Sequence, residues 1–169
     1  GSEADASGRA VFAAMEGSRP VLAEVQALAG PEAAGNPRRS IVGWDSSRLA
    51  MLLAVFDARC GLRFGTRDVY LSVTGGYRIA EPAGDLAAAA ALASALMDKP
   101  FPTGSVFFGE VALSGAIRPV GRIEPRLREA ARLGFTQAWA PPGAPTTVDG
   151  MAVHGISRLQ DLVDGLAGD

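Results

Sequence analysis

Phe107-Phe108-Gly109-Glu110-Val111-Ala112-Leu113-Ser114-Gly115-Ala116-Ile117-Arg118-Pro119-Val120-Gly121-Arg122-Ile123-Glu124-Pro125-Arg126-Leu127-Arg128-Glu129-Ala130-Ala131-Arg132-Leu133-Gly134-Phe135 is the stretch whose reading decides the fold. Its opening predicts a strand over Val106 to Glu110, joined to a hairpin over Val111 to Val120 with Ser114-Gly115 at the turn. The helix that follows begins near Ile123, tolerates Pro125 because proline fits the first turn, and ends at Gly134. Its outer face is expected to carry Arg126, Arg128, Glu129 and Arg132. A strand, a hairpin and a helix in immediate succession point to helices packed on a sheet.

Working outward, the same alternation holds along the chain. Gly84 to Met97 contains five consecutive alanines and reads as a helix that lets neighbouring backbone come close, hence a buried one. Arg9 to Met15 and Val21 to Leu28, separated by a turn containing Gly17 and Pro20, read as a hairpin. Ile41 to Gly43 is a short strand, and Asp45 or Ser46 caps a helix with Leu49, Leu52, Leu53 and Phe56 at helical spacing, ending at Gly61. Val69 to Val73 and Gln137 to Ala140 are strands, Pro141 to Pro145 a loop, Met151 to Gly155 an alternating strand, and Ile156 to Leu166 a closing amphipathic helix. The expected fold class is mixed α/β, helices against a mixed sheet, in one domain from residue 9 to 169. Gly1-Ser2 looks like the remnant of a cleaved tag, and residues 1–8 read as a loose N-terminal segment.

Composition narrows the chemistry. The 169 residues are 48% hydrophobic and 20% charged, with a net charge of −2, one histidine and one cysteine. A Cys/His zinc site needs three or four ligands, which these counts exclude. His154 reads as a half-exposed strand histidine, Cys60 as a small buried hydrophobe, and Lys99, the single lysine, as a cation at a helix C-terminus. No run approaches the ~20 apolar residues that span a bilayer. One cysteine allows no internal disulfide, which favours a cytoplasmic location. The charge disfavours a uniformly basic nucleic-acid binder, while leaving local arginine patches open.

Several motifs carry a resemblance. The 107–135 stretch is similar to the segment that bears the catalytic lysine in Lon-type Ser-Lys proteases, with Glu124 at the lysine position. The alanine helix is similar to the one that the serine opens, with Ala83 at the serine position. Added to Asn36-Pro37-Arg38-Arg39, Val42-Gly43-Trp44-Asp45-Ser46-Ser47-Arg48, Asp68-Val69-Tyr70-Leu71-Ser72-Val73-Thr74-Gly75-Gly76 and Glu81-Pro82-Ala83-Gly84-Asp85-Leu86, these motifs resemble, in order and spacing, the Lon protease-like C-terminal domain of the bacterial RadA (Sms) family. The resemblance covers nearly the whole chain from about Val11.

It implies a DNA repair and recombination ATPase whose Lon-like domain helps build a ring, with a hexamer as the family's expectation, and contacts DNA during branch migration. A RecA-type recombinase is the implied partner of the full-length protein. This sequence has no Gly-x-x-x-x-Gly-Lys-[Ser/Thr] phosphate loop and no paired zinc-finger cysteines, so ATP, magnesium and zinc are expected only in domains outside it. A carboxylate at 124 and a methyl at 83 cannot replace an amine base and a nucleophile. The reading is therefore a pseudo-protease, a non-catalytic platform for self-association and sequence-independent DNA binding. The alternative is a peptidase with a displaced nucleophile, Ser72 or Ser114, served by Lys99. For DNA, Arg38, Arg39 and Arg48 are expected to lie near one another, with Arg122 and Arg126 as second candidates within a helix strip paired to Glu124 and Glu129.

Overall fold

Two long strands, β1 (Arg9–Glu16) and β2 (Arg19–Ala29), pair antiparallel around Gly17, whose φ of 59° suits the tight turn. A computed structural model of the chain describes residues 6–168. The remaining elements follow in the order β3 (Arg39–Val42), α1 (Ser46–Cys60), β4 (Val69–Val73), α2 (Asp85–Met97), β5 (Ser105–Phe107), β6 (Glu110–Val111), β7 (Ile117–Arg118), α3 (Ile123–Arg132), β8 (Gln137–Ala140), β9 (Thr147–Val148), β10 (Met151–Gly155) and α4 (Leu159–Ala167). Eight strands form one mixed sheet in the order β3-β4-β2-β1-β5-β8-β10-β9, and β6 and β7 form a separate ribbon. The mixed α/β class is as the sequence led us to expect.

β1, β5, β8 and β10 run parallel, while β2 and β9 are antiparallel to their neighbours. α2 packs across β1, β2 and β5 and touches both α1 and α4. Asp85 through Ser94 are all buried, the pattern of a helix apolar all round with alanines admitting close neighbours. Its one mid-helix hydroxyl is satisfied, since Ser94 Oγ donates to the Lys99 carbonyl at 2.5 Å and accepts the Gly8 N–H at 2.8 Å.

That contact bears on the N-terminal segment. Residues 1–5 lie outside the described residues, and Ser7 and Gly8 are tied down rather than loose. Ser7 Oγ donates to Asp98 at 2.8 Å, and the Gly8 carbonyl accepts from Ala27 N at 2.7 Å.

Two elements differ from the sequence reading, whereas the hairpin expected over Val111 to Val120 forms as the short ribbon β6–β7, its Ser114-Gly115 tip closed by Ala112 N donating to Ala116 O and Gly115 N to Ala112 O. The last helix starts at Leu159 rather than Ile156. Asp161 accepts from the backbone N–H groups of Ser157 and Arg158, making those residues the cap. β9 arises inside a segment that carried no strand signal, paired to β10 through only two residues.

Candidate functional site

The positions that the resemblance assigns to a serine and a lysine sit in contrasting surroundings. Ala83 lies in a single 3-10 turn, Pro82–Gly84, that leads into α2, and it is 2% exposed. Its carbonyl accepts from Gly109 N at 2.8 Å, and Leu86 N donates to Gly109 O at 3.0 Å, stitching the turn to the chain leaving β5. Gly84 is required there: a Cβ on it would stand 2.4 Å from Ile79 Cγ2. Glu124, in the first turn of α3, is exposed and accepts from Arg128 Nη2 at 2.7 Å.

Two acidic residues flanking this turn each hold an arginine. Glu81 Oε1 accepts from Arg126 Nη2 at 2.5 Å, and its other oxygen accepts from Met15 N at 2.9 Å. Arg126 is only 3% exposed, donates from Nε to Gly121 O at 3.0 Å and from Nη1 to Ala13 O at 2.7 Å, and lies over the rings of Phe12 and Phe108. A guanidinium with its donors so distributed meets the condition under which a charge can be buried. On the other flank, Asp85 is fully buried and accepts from Arg48 Nε at 3.2 Å, from Arg48 Nη2, and from Val111 N at 3.0 Å. Burial raises the Asp85 carboxyl above the usual aspartate range, a shift opposed by the hydrogen bonds from Arg48 and Val111. Its place in the first turn of α2 also sets negative charge against the positive end of the helix dipole.

Between these pairs opens a cleft of about 270 Å³ lined by Trp44, Asp45, Arg48, Arg78, Glu81 and Asp85 among others. No lining residue is a serine, cysteine, lysine or histidine. Asp45 is committed as the N-cap of α1, where the Ser47 hydroxyl and N–H hold its carboxyl below the ordinary range. The cleft offers charged side chains, two arginines and three carboxylates.

The five arginines expected at DNA therefore separate. Arg126 belongs to the buried network and not to the outer face of α3, because the helix stripe that buries Leu127 and Ala130 carries it inward as well. Arg48 is one-third exposed and tied to Asp85. Arg38 and Arg39 stand at the opposite end of β3 from the helix that carries Arg48, roughly 10 Å of strand away, so the three do not form one cluster. Arg38 is exposed, and its backbone N donates to Asp68 at 2.7 Å. Arg39 folds back to donate to Arg67 O at 2.5 Å. Arg122 is exposed, in the left-handed conformation with φ 64°, just before α3.

Lys99 and the alternative nucleophiles are also apart. Lys99 follows the C-terminal end of α2, where its Nζ donates to Ala167 O at 3.4 Å. Ser114 is on the ribbon tip, beyond the end of α2 that holds Asp85, and its Oγ accepts from Ala116 N. α2 alone, at 13 residues, separates them by about 20 Å. Ser72 lies mid-strand on β4, half-buried, beside Gln26 and Val42. Sequence reasoning missed Glu81 and Asp85. Their signal was two carboxylates four residues apart, bracketing the very turn that the resemblance singled out.

No family model matches the chain. Among curated proteins, it is 58% identical over 137 residues to the DNA repair protein RadA of Brucella abortus, which covers 81% of this chain and 29% of that protein. It is 49% identical over 160 residues to the RadA of Rickettsia felis, covering 95% of the chain and 35% of the relative. The RadA of Streptococcus pyogenes serotype M1 is 44% identical over 164 residues, covering 95% and 36%. The chain spans about a third of the length of these relatives, and over that third it belongs to the RadA family.

Proposed function

We propose that this domain is a non-catalytic, Lon-like platform of a RadA-type DNA repair protein, serving self-association and sequence-independent DNA binding while the whole protein works on recombination intermediates. One observation carries the reading: the turn that would present a nucleophile presents Ala83, and it is clamped from both sides by Arg126–Glu81 and Arg48–Asp85, with Glu124 turned to solvent. The retained scaffold is used for structure. The peptidase alternative needs Lys99 beside Ser72 or Ser114, and no observation favours it.

The names of the relatives supply the DNA side, and the arginines left with exposed side chains supply the chemistry. Of the five candidates, Arg38 and Arg122 have exposed side chains that no carboxylate, backbone carbonyl or burial engages among the described residues, whereas the Arg39 guanidinium is held by backbone carbonyls. Phosphate contact needs positioned charge and no base reading, so affinity should fall steeply with salt. Fluorescence anisotropy on double-stranded DNA across a salt series tests this. Arg38→Ala with Arg122→Ala should flatten the slope of log K against log salt by up to about two. Unchanged curves would remove both residues from the DNA surface. A parallel fluorophosphonate labelling should leave the domain unlabelled, and a labelled serine would overturn the non-catalytic reading.

A further inference from the structure

The cleft beside the Ala83 turn holds hydrogen-bonding capacity that the fold does not use. Glu81 and Asp85 each accept from an arginine and a backbone N–H, and Asp45 caps α1, so its three carboxylates are engaged. What is left over is donors. Arg78 is exposed and makes no hydrogen bond or ion pair among the described residues. Arg48 gives Nε and Nη2 to Asp85 and keeps Nη1 free.

Trp44 adds a third donor. It is 5% exposed, and its indole N–H has no partner among the described residues. That N–H is not sealed in, because the Trp139 indole is the one buried side-chain nitrogen or oxygen there without a partner. The little of Trp44 that solvent reaches therefore includes its N–H, and it is reached through the cleft that Trp44 lines.

The backbone at the rim is open along one edge. Ile79 N donates to Gly43 O at 2.9 Å, fastening one side of the segment between Tyr77 and Glu81, which are both extended. The backbone groups of Arg78 and Ala80, on either side of Ile79, have no partner among the described residues. Successive residues of an extended chain turn these groups to opposite edges, so the second edge is free to pair. Arg78 and Ala80 also line a more open hollow of about 510 Å³ with Met15, Glu16 and Gly76, which prolongs the cleft into a groove. A free backbone edge along a groove, with donors gathered in it, suits an extended peptide that offers a carboxylate.

We infer that this groove binds an extended peptide segment, its backbone pairing with Arg78 and Ala80 and its carboxylate received by Arg78, Arg48 and the Trp44 indole. Glu16, exposed and unpaired among the described residues, repels a run of acids, so the segment carries a lone carboxylate rather than an acidic tract. The inference goes beyond the platform reading and stands apart from its DNA contact.

Proton–nitrogen correlation NMR of the chain tests it, because the two tryptophans give two indole signals. The probe is N-acetylated Ala-Val-Ala-Asp, which offers a terminal and a side-chain carboxylate. It should shift the Trp44 indole signal saturably, with a Kd below about 10 mM, and leave the Trp139 signal in place. Arg78→Ala, at an exposed position whose side chain holds nothing else, should weaken binding by at least about tenfold. The C-terminal amide and the Asp-to-Asn peptide identify the source of the carboxylate, and weaker binding of either one upholds the inference. Equal binding by a peptide lacking both carboxylates would overturn it. So would no saturable shift, or an affinity unchanged in Arg78→Ala. Inorganic phosphate that moves the Trp44 signal at the same concentrations as the peptide would mean a site for free anions, and would overturn peptide binding.

Discussion

The turn from Glu81 to Asp85 and the outer face of α3 both hold arginine–carboxylate pairs, yet the two regions use them differently. Arg126 is 3% exposed and satisfies Glu81, two backbone carbonyls and two aromatic faces. Arg128, two residues on, is 64% exposed and meets Glu124 alone. The same helix thus carries one arginine that the fold depends on and another that solvent could replace. Counting arginines along a sequence cannot separate them, because the local environment sets the worth of the charge.

The largest effect expected from this contrast is at Arg126. Arg126→Ala strands the Glu81 carboxylate, leaves the Ala13 carbonyl unpaired in the core and empties the space beside Phe12 and Phe108. It should cost about 3 to 5 kcal/mol of stability in urea unfolding. Glu81→Gln, which keeps an acceptor for Met15 N and for the guanidinium, should cost less. If Arg126→Ala costs no more than an exposed residue, the buried network is not holding the turn.

How much of this was legible in the sequence can be argued from α3 itself. Ile123, Leu127 and Ala130 mark its inner stripe by period, and Arg126 falls on the flank of that stripe beside Leu127. Period alone would have turned Arg126 inward; its charge argued the other way, and the sequence holds no local sign of Glu81, 45 residues earlier. Arg48, beside Leu49 in α1, repeats the pattern with Asp85. Strands β1, β2 and β4 and the buried α2 were readable because their apolar residues recur at periods of two or fill every position. The β6–β7 ribbon was readable as a hairpin turning at Ser114-Gly115, whereas β9, which pairs through only two residues, was not. The Ala83 and Glu124 positions came from resemblance, and their surroundings came only from the fold.

An intermediate effect is expected on the turn's backbone. Gly84→Ala would place a methyl 2.4 Å from Ile79 Cγ2 and 3.4 Å from the Phe12 ring, so the core must shift. The expected cost is about 1 to 3 kcal/mol. A cost near zero would show that the clamped turn yields more easily than its two ion pairs imply.

Asp85 separates the regions by pH. Burial holds its folded carboxyl above the ordinary value of 3.8, so the folded state prefers the protonated form. Its contribution to stability is therefore full below that value and declines as pH rises through the higher folded pKa, opposite to the usual aspartate in a salt bridge. Asp85→Asn should remove that decline. The difference in unfolding free energy between wild type and variant should favour wild type more in acid than at neutral pH. A difference that moves the other way would mean that Arg48 outweighs burial.

The smallest effect is expected at Arg128. The pair it makes with Glu124 spans i to i+4 on an open helix face, with both side chains more than three-fifths exposed. The carboxylate precedes the arginine, the better orientation for the helix dipole, yet water screens the attraction and two long side chains lose freedom to form it. Arg128→Ala should thus cost only about 0.3 to 0.5 kcal/mol, and adding salt should shrink even that. Since Glu124 stands where the resemblance puts a lysine, the measurement also reads what that position now does. A loss as large as that of Arg126→Ala would make Glu124 a structural carboxylate on a par with Glu81 and erase the distinction between the two regions. A loss within a few tenths leaves position 124 on an ordinary solvated helix face, with no role in holding the fold.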